Sequence, residues 1–189
     1  MEKGEVIKMA KFRGLLLIGY MKYLREKGVL DSVLAGLDEN LRRTLQSIDA
    51  KNWYSTEDVI YPFYRAVDKL VAKGDSRFFI DMGKFGAMDN EKWYLKLFFK
   101  FASPMKIIKK FPVLWGLYND TGRMEIADPK ENSATPRLIE YNSTLLADLT
   151  VQGWGEYALE RVGAKNIKIV QTKCRERGDD CTEWRMMWE

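Results

Sequence analysis

The residues best placed to do chemistry stand near the end of the chain, in the run Thr172-Lys173-Cys174-Arg175-Glu176-Arg177-Gly178-Asp179-Asp180-Cys181. Two cysteines flank a polar turn in which Gly178 is free to take positive φ. On adjacent strands their Cα atoms would come within range of a disulfide or a shared metal. Three readings stay open: a packed pair of small apolar side chains, a zinc site, and a regulatory dithiol. A zinc ion takes about four ligands, so Asp179, Asp180, Glu176 or a second subunit would have to complete the set. Asp179-Asp180 by itself reads as turn chemistry.

A second group is aromatic. Trp93, Tyr94, Phe98, Phe99, Phe101, Phe111, Trp115 and Tyr118 crowd one segment at helical spacing. Such a stripe is what burial requires. It also suits an apolar pocket with a few polar handles, and a pocket is a core with a hole in it. The candidate pocket residues are Phe98, Phe101, Phe111, Trp115 and Tyr118. Lys106, Lys109 and Lys110 beside them read as a solvated helix face.

Composition sets the outer limits. The 189 residues are 46% hydrophobic, 13% aromatic and 31% charged, enough for a core under a soluble surface. Thirty-one Lys and Arg against 27 Asp and Glu leave a net charge of +4, with no basic block. Nucleic-acid binding is therefore not expected. No apolar run is long enough to span a membrane, and the start does not read as a signal peptide, so a cytoplasmic protein is expected. There is no histidine. That removes Ser-His-Asp and Cys-His nucleophiles and the usual proximal ligand of haem.

The elements that must position these groups follow from periodicity. Helices are predicted from Phe12 to Lys27, near Leu30 to Leu37, from Asp38, and from a Ser55 cap to Gly74 with a bend at Pro62. Others run from Asp75 to Met88, from Lys92 to Ala102, and from a Ser103 cap to Tyr118 with a kink at Pro112. Alternation then predicts strands over Gly122 to Asp128 and Arg137 to Asn142, separated by a polar loop from Pro129 to Pro136. A helix from Ser143 to Val162 follows, and then strands over Lys165 to Cys174 and Cys181 to Trp188. The prediction is one α+β domain over 1–189. Its helical part, 1–119, packs on a four-stranded antiparallel sheet in 120–189, ordered strand-strand-helix-strand-strand.

The C-terminal hairpin, with Thr172, Cys174, Gly178-Asp179 and Cys181, resembles that of the 4-vinyl reductase domain in a bacterial branch. That group is related to haem nitric-oxide-binding domains, to the sensor domains of phenol-responsive activators, and to TRAPP trafficking subunits. Phe12-Arg13-Gly14-Leu15-Leu16-Leu17, Trp53-Tyr54, Leu114-Trp115 with Tyr118, and Gly122-Arg123-Met124-Glu125 extend the resemblance over nearly the whole chain. It implies a ligand-binding α+β fold, often dimeric, with a pocket between helices and sheet. Haem-binding members use a histidine, so haem is not expected here. Phenol sensors hold zinc with three cysteines and a glutamate; Cys174 and Cys181 match two of these, and Gln171 stands near the glutamate position.

The combined expectation is a non-enzymatic sensor module. It would bind a hydrophobic small molecule and act as a homodimer or through a partner, with zinc at Cys174/Cys181 as the one cofactor entertained. A protein adaptor without a pocket is the alternative. A tetrapyrrole vinyl reductase ranks below it, because no nicotinamide or flavin fingerprint is present.

Overall fold

Helix starts are marked by capping side chains. Asp38, Ser55, Asp75, Ser103 and Thr144 each accept a hydrogen bond from a backbone N–H two or three residues on. Each thereby satisfies a donor that the first helical turn leaves open. In the computed structural model, residues 9–91, 99 and 102–189 are described. Chain order runs β1 (Lys11–Arg13), α1 (Gly14–Glu26), α2 (Leu30–Ala35), α3 (Glu39–Gln46) and β2 (Trp53–Ser55). Next come α4 (Tyr61–Val67), bracketed by π-helical turns at Thr56–Ile60 and Asp68–Ala72, and α5 (Ser76–Asp89). Then follow α6 (Pro104–Ile108), α7 (Phe111–Tyr118), β3 (Arg123–Lys130), β4 (Ser133–Ile139), α8 (Leu145–Arg161), β5 (Lys168–Lys173) and β6 (Thr182–Met187). The helix expected over Lys92 to Ala102 lies outside the described residues, apart from Phe99 and Ala102.

The predicted class holds. The main sheet has order β3-β4-β6-β5, all pairs antiparallel, with α8 between the two hairpins in sequence. A small ribbon was not foreseen: β1 pairs with β2, and Phe12 bridges to Asn119.

Two local expectations change. The long helix from Ser103 is two helices, because Pro112 occupies the first turn of α7, where a missing N–H is harmless, instead of kinking a continuous helix. Pro62, by contrast, lies as expected inside an unbroken helical run from Thr56 to Ala72, where a π-helical turn gives way to α4. The polar loop from Pro129 to Pro136 is mostly strand: β3 and β4 pair as far as Lys130↔Ser133 through a bulge, and Asp128 takes φ 45°. Pro136 lies inside β4. The β4–β6 ladder lapses there, between Ala134↔Met186 and Arg137↔Glu183, and a residue without an N–H is tolerated in such a gap.

The interior divides into two apolar cores. One is helical, built from α1 to α5 with Ala147 and Leu149 of α8. The other joins α6 and α7 to the sheet and to Ala158 and Leu159 of α8. α8 therefore serves both and is buried along much of its length. It meets α5 along a seam of glycines, where a Cβ on Gly83 would stand 2.1 Å from the Thr150 carbonyl oxygen. Among the described residues, no helix is long and apolar enough to cross a membrane.

Candidate functional site

A cavity lies where the two cores meet. Phe12, Leu16, Tyr20, Ile60, Tyr61 and Tyr64 wall it from the helical side, and Phe111, Trp115, Met124, Tyr141, Trp184 and Met186 from the sheet side. α8 adds Ala147, Thr150, Val151, Trp154 and Gly155. Pro136 lines it too, so the lapse in the β4–β6 ladder faces the same space. The cavity's volume is about 80 Å³, room for a few waters. All atom-free space, the mouth included, comes to about 810 Å³. The larger figure includes open solvent at the mouth, so the smaller one is the volume of the cavity.

Of the residues singled out from the sequence, Phe111, Trp115 and Tyr118 line this cavity. Phe98 and Phe101 lie outside the described residues. The Trp115 indole donates to the Thr121 carbonyl at 3.0 Å, and its ring meets Tyr141 edge-on at 4.9 Å. Sequence reasoning missed the contributions of α1, α4 and α8, because their apolar stripes read simply as core.

Among the described residues, no Lys, Arg, Asp or Glu lines the cavity. Its polar groups are phenols, hydroxyls, the Asn119 amide and indoles, and most are paired within the walls. Tyr61 donates to the Asn142 carbonyl at 2.5 Å, Tyr141 to Asn119 at 3.4 Å, and Tyr64 and Thr150 share a bond of 3.4 Å. Burial raises the pKa of the Tyr20, Tyr64 and Tyr141 phenols, so they stay neutral.

Beside the cavity, Asp148 is 0% exposed in the first turn of α8. Its Oδ1 accepts from Ser143 at 2.5 Å, and its Oδ2 from Gln171 at 2.7 Å, Thr182 at 3.4 Å and the Cys174 thiol at 3.5 Å. One carboxyl thus ties α8 to β5, β6 and their turn. Burial pushes its pKa up to about 6, against the partial opposition of those donors. A single acid in the apolar run Leu145-Leu146-Ala147-Asp148-Leu149 was the signal that could have flagged it.

The hairpin itself is built by turn chemistry. The Cys174 N–H donates to Asp179 at 2.7 Å, Gly178 takes φ 94°, and Lys173 pairs with Asp180 at 2.9 Å. Glu176 accepts from the Leu145 N–H at 2.5 Å, capping α8 from a distance. Cys174 and Cys181 are free and buried. Burial raises both thiol pKa values, helped by Asp148 at Cys174 and by Asp180 at Cys181. Neither lines the cavity. The zinc expectation is corrected here: among the described residues no group of three or more His, Cys, Asp or Glu could hold a metal ion. The Asp148 carboxylate that the Cys174 thiol meets is also engaged by Ser143, Gln171 and Thr182.

No family model matches this sequence, and no curated protein matches it. Solved structures do match its fold. An H-NOX protein from S. oneidensis in the Fe(II)NO ligation state is 13% identical, with a TM-score of 0.72 over 94% of this chain and 99% of that one. The Fe(II) unliganded H-NOX protein from K. algicida is 10% identical, with a TM-score of 0.71 over 94% and 96%. A structure described by haem redox potential and porphyrin distortion is 12% identical, with a TM-score of 0.64 over 93% and 99%. At such identities the likeness is one of fold. It corrects the expectation that haem is not bound for want of an imidazole: this chain shares its fold with H-NOX proteins solved with Fe(II), and imidazole is only one of the ligands that haem iron takes, thioethers and phenolates being others.

Proposed function

We propose that this chain is a ligand-binding sensor module that takes a hydrophobic small molecule, planar macrocycles included, into the cavity between its two cores. The observation that carries the reading is the place of the cavity. It lies at the seam of two separately packed cores and is walled by uncharged groups. A ligand that binds one arrangement of the cores better than another shifts the population between them, which is all a sensor requires. α7 is the wall suited to move. Its inner face supplies Phe111, Leu114, Trp115 and Tyr118 to the cavity, and its outer face carries Val113 and Leu117 to solvent, 61% and 55% exposed.

The donors present fit haem. Met124 and Met186 bring thioethers that need no deprotonation, whereas the buried phenols would have to lose a proton first. Either methionine, acting alone, is the residue that would hold the iron, and haem so bound would leave a coordination position for a diatomic gas.

The exposed Val113 and Leu117 favour a second reading, a protein adaptor, and they fit a homodimer or partner contact within the first. The 4-vinyl reductase resemblance is kept on its hairpin residues, with a cytoplasmic location. Thermal denaturation with hemin, protoporphyrin IX and indane tests the proposal. A bound probe at a hundred times its Kd stabilises by about 2.7 kcal/mol, raising Tm by roughly 5–10 °C. Hemin ligated through Met124 or Met186 also shows a shifted absorption band that Met→Leu replacement removes. No response to any of the three overturns the ligand reading in favour of the adaptor.

A further inference from the structure

A helix that is apolar all round ordinarily lies inside a protein, and one at the surface carries a polar face. α7, Phe-Pro-Val-Leu-Trp-Gly-Leu-Tyr, has no charged side chain, yet only one side of it is covered. Phe111 and Trp115 are buried in the sheet-side core, while Val113, Gly116 and Leu117 are exposed. At Gly116 nothing lies within 4 Å of the place a Cβ would take. Among the described residues, six large apolar side chains are exposed; Val113 and Leu117 are the two that share an element, and they stand about one helical turn apart on it. Apolar residues scattered singly on a surface need no explanation, whereas a bare helix face marks a contact.

The charge beside this face decides what it contacts. Lys106, Lys109 and Lys110 are exposed in α6 and in its link to α7. From Lys92 to Asn119 the sequence has six lysines and neither Asp nor Glu, and outside that stretch Asp and Glu outnumber Lys and Arg. The positive charge of the chain is therefore concentrated where the bare helix stands. We propose that α6 and α7 dock this protein on an anionic phospholipid surface. Val113 and Leu117 enter the boundary between headgroups and acyl chains, and the three lysines meet the negative headgroups. Apolar side chains flanked by lysines are what interfacial binding uses, and each lysine close to an anionic leaflet adds about fivefold in affinity. A stable protein interface takes roughly 20–30 residues a side in matching shape, whereas a bilayer accepts a small anchor of any shape. The proposal holds whatever the cavity binds, because it rests on the opposite face of α7.

The test is co-sedimentation of the full chain with phosphatidylcholine vesicles, with and without phosphatidylserine. Binding is expected with phosphatidylserine only, and it should weaken as salt is added. Lys106→Gln, Lys109→Gln and Lys110→Gln together are expected to weaken it on the order of a hundredfold. Val113→Ser with Leu117→Ser is expected to weaken it roughly tenfold. All five side chains are exposed, so both variants should keep the parent's Tm. Failure to bind phosphatidylserine vesicles, or equal binding to phosphatidylcholine alone, overturns the proposal; the first result leaves the face to an acidic protein partner. Undiminished binding by either variant also overturns it, since the contact then lies elsewhere or does not use the apolar face.

Discussion

Gly153→Ala is expected to lower Tm by roughly 6–12 °C, a large loss for the addition of one methyl group. The reason is contact between backbones. A Cβ at Gly153 would stand 1.9 Å from the Ile80 carbonyl oxygen and 2.8 Å from the Lys84 nitrogen. Gly83 repeats the relation from the other helix, toward Thr150. No side-chain rotation relieves a clash with backbone, so α5 and α8 must part, and overpacking of this kind costs about 3 kcal/mol or more. Because α8 belongs to both cores, the cavity walls would shift with it. Gly116→Ala is the matched control. Gly116 is helical, with nothing within 4 Å of the place a Cβ would take, and the alanine is expected to add up to about 1 kcal/mol from helix propensity. Urea denaturation of the three proteins reads all of this, and a Gly153→Ala protein as stable as the parent would contradict the close packing of α5 on α8.

Asp148→Asn is expected to remove a pH dependence worth roughly 3 kcal/mol. The folded protein holds the Asp148 proton up to about pH 6, whereas the unfolded chain releases it near 3.8. Between those values the folded state binds more protons, so this group's stabilisation is full below pH 3.8, falls as pH rises, and is gone above about 6. Other carboxylates run the opposite way. Glu183 and Asp180 have lowered pKa values, the first against its own burial through Thr172 and Arg137, the second chiefly through Lys173. Their stabilisation is lost as pH falls. The quantity to follow is therefore the difference in unfolding free energy between parent and variant from pH 4 to 7. It should change by about 3 kcal/mol in the variant's favour as pH rises; a constant difference would mean that Asp148 ionises normally in the fold.

The sequence carried several helix starts and the sheet pattern plainly, because Asp38, Ser55 and Ser103 and the alternation of Lys168–Lys173 are local signals; the Thr144 cap of α8 was not foreseen. It misplaced the elements around Pro112 and Pro136, where proline has more than one tolerated setting and tertiary pairing decides between them. One half of the cavity was legible in Phe111, Trp115 and Tyr118. The other half was not, since Tyr20, Tyr61, Tyr64 and Trp184 read as ordinary buried residues until two cores were seen to stop short of each other. The missing histidine argued against haem only while ligand type was weighed without architecture.

The central claim is that the space between the two cores is where a ligand goes, and filling that space tests it most directly. Ala147 lines the cavity from α8, and Ala147→Leu should occupy it while the protein stays folded. The shift in Tm produced by indane should vanish in Ala147→Leu and survive in Val113→Ser, on the outer face of α7. An indane response of equal size in Ala147→Leu and the parent protein would place binding elsewhere and contradict the account.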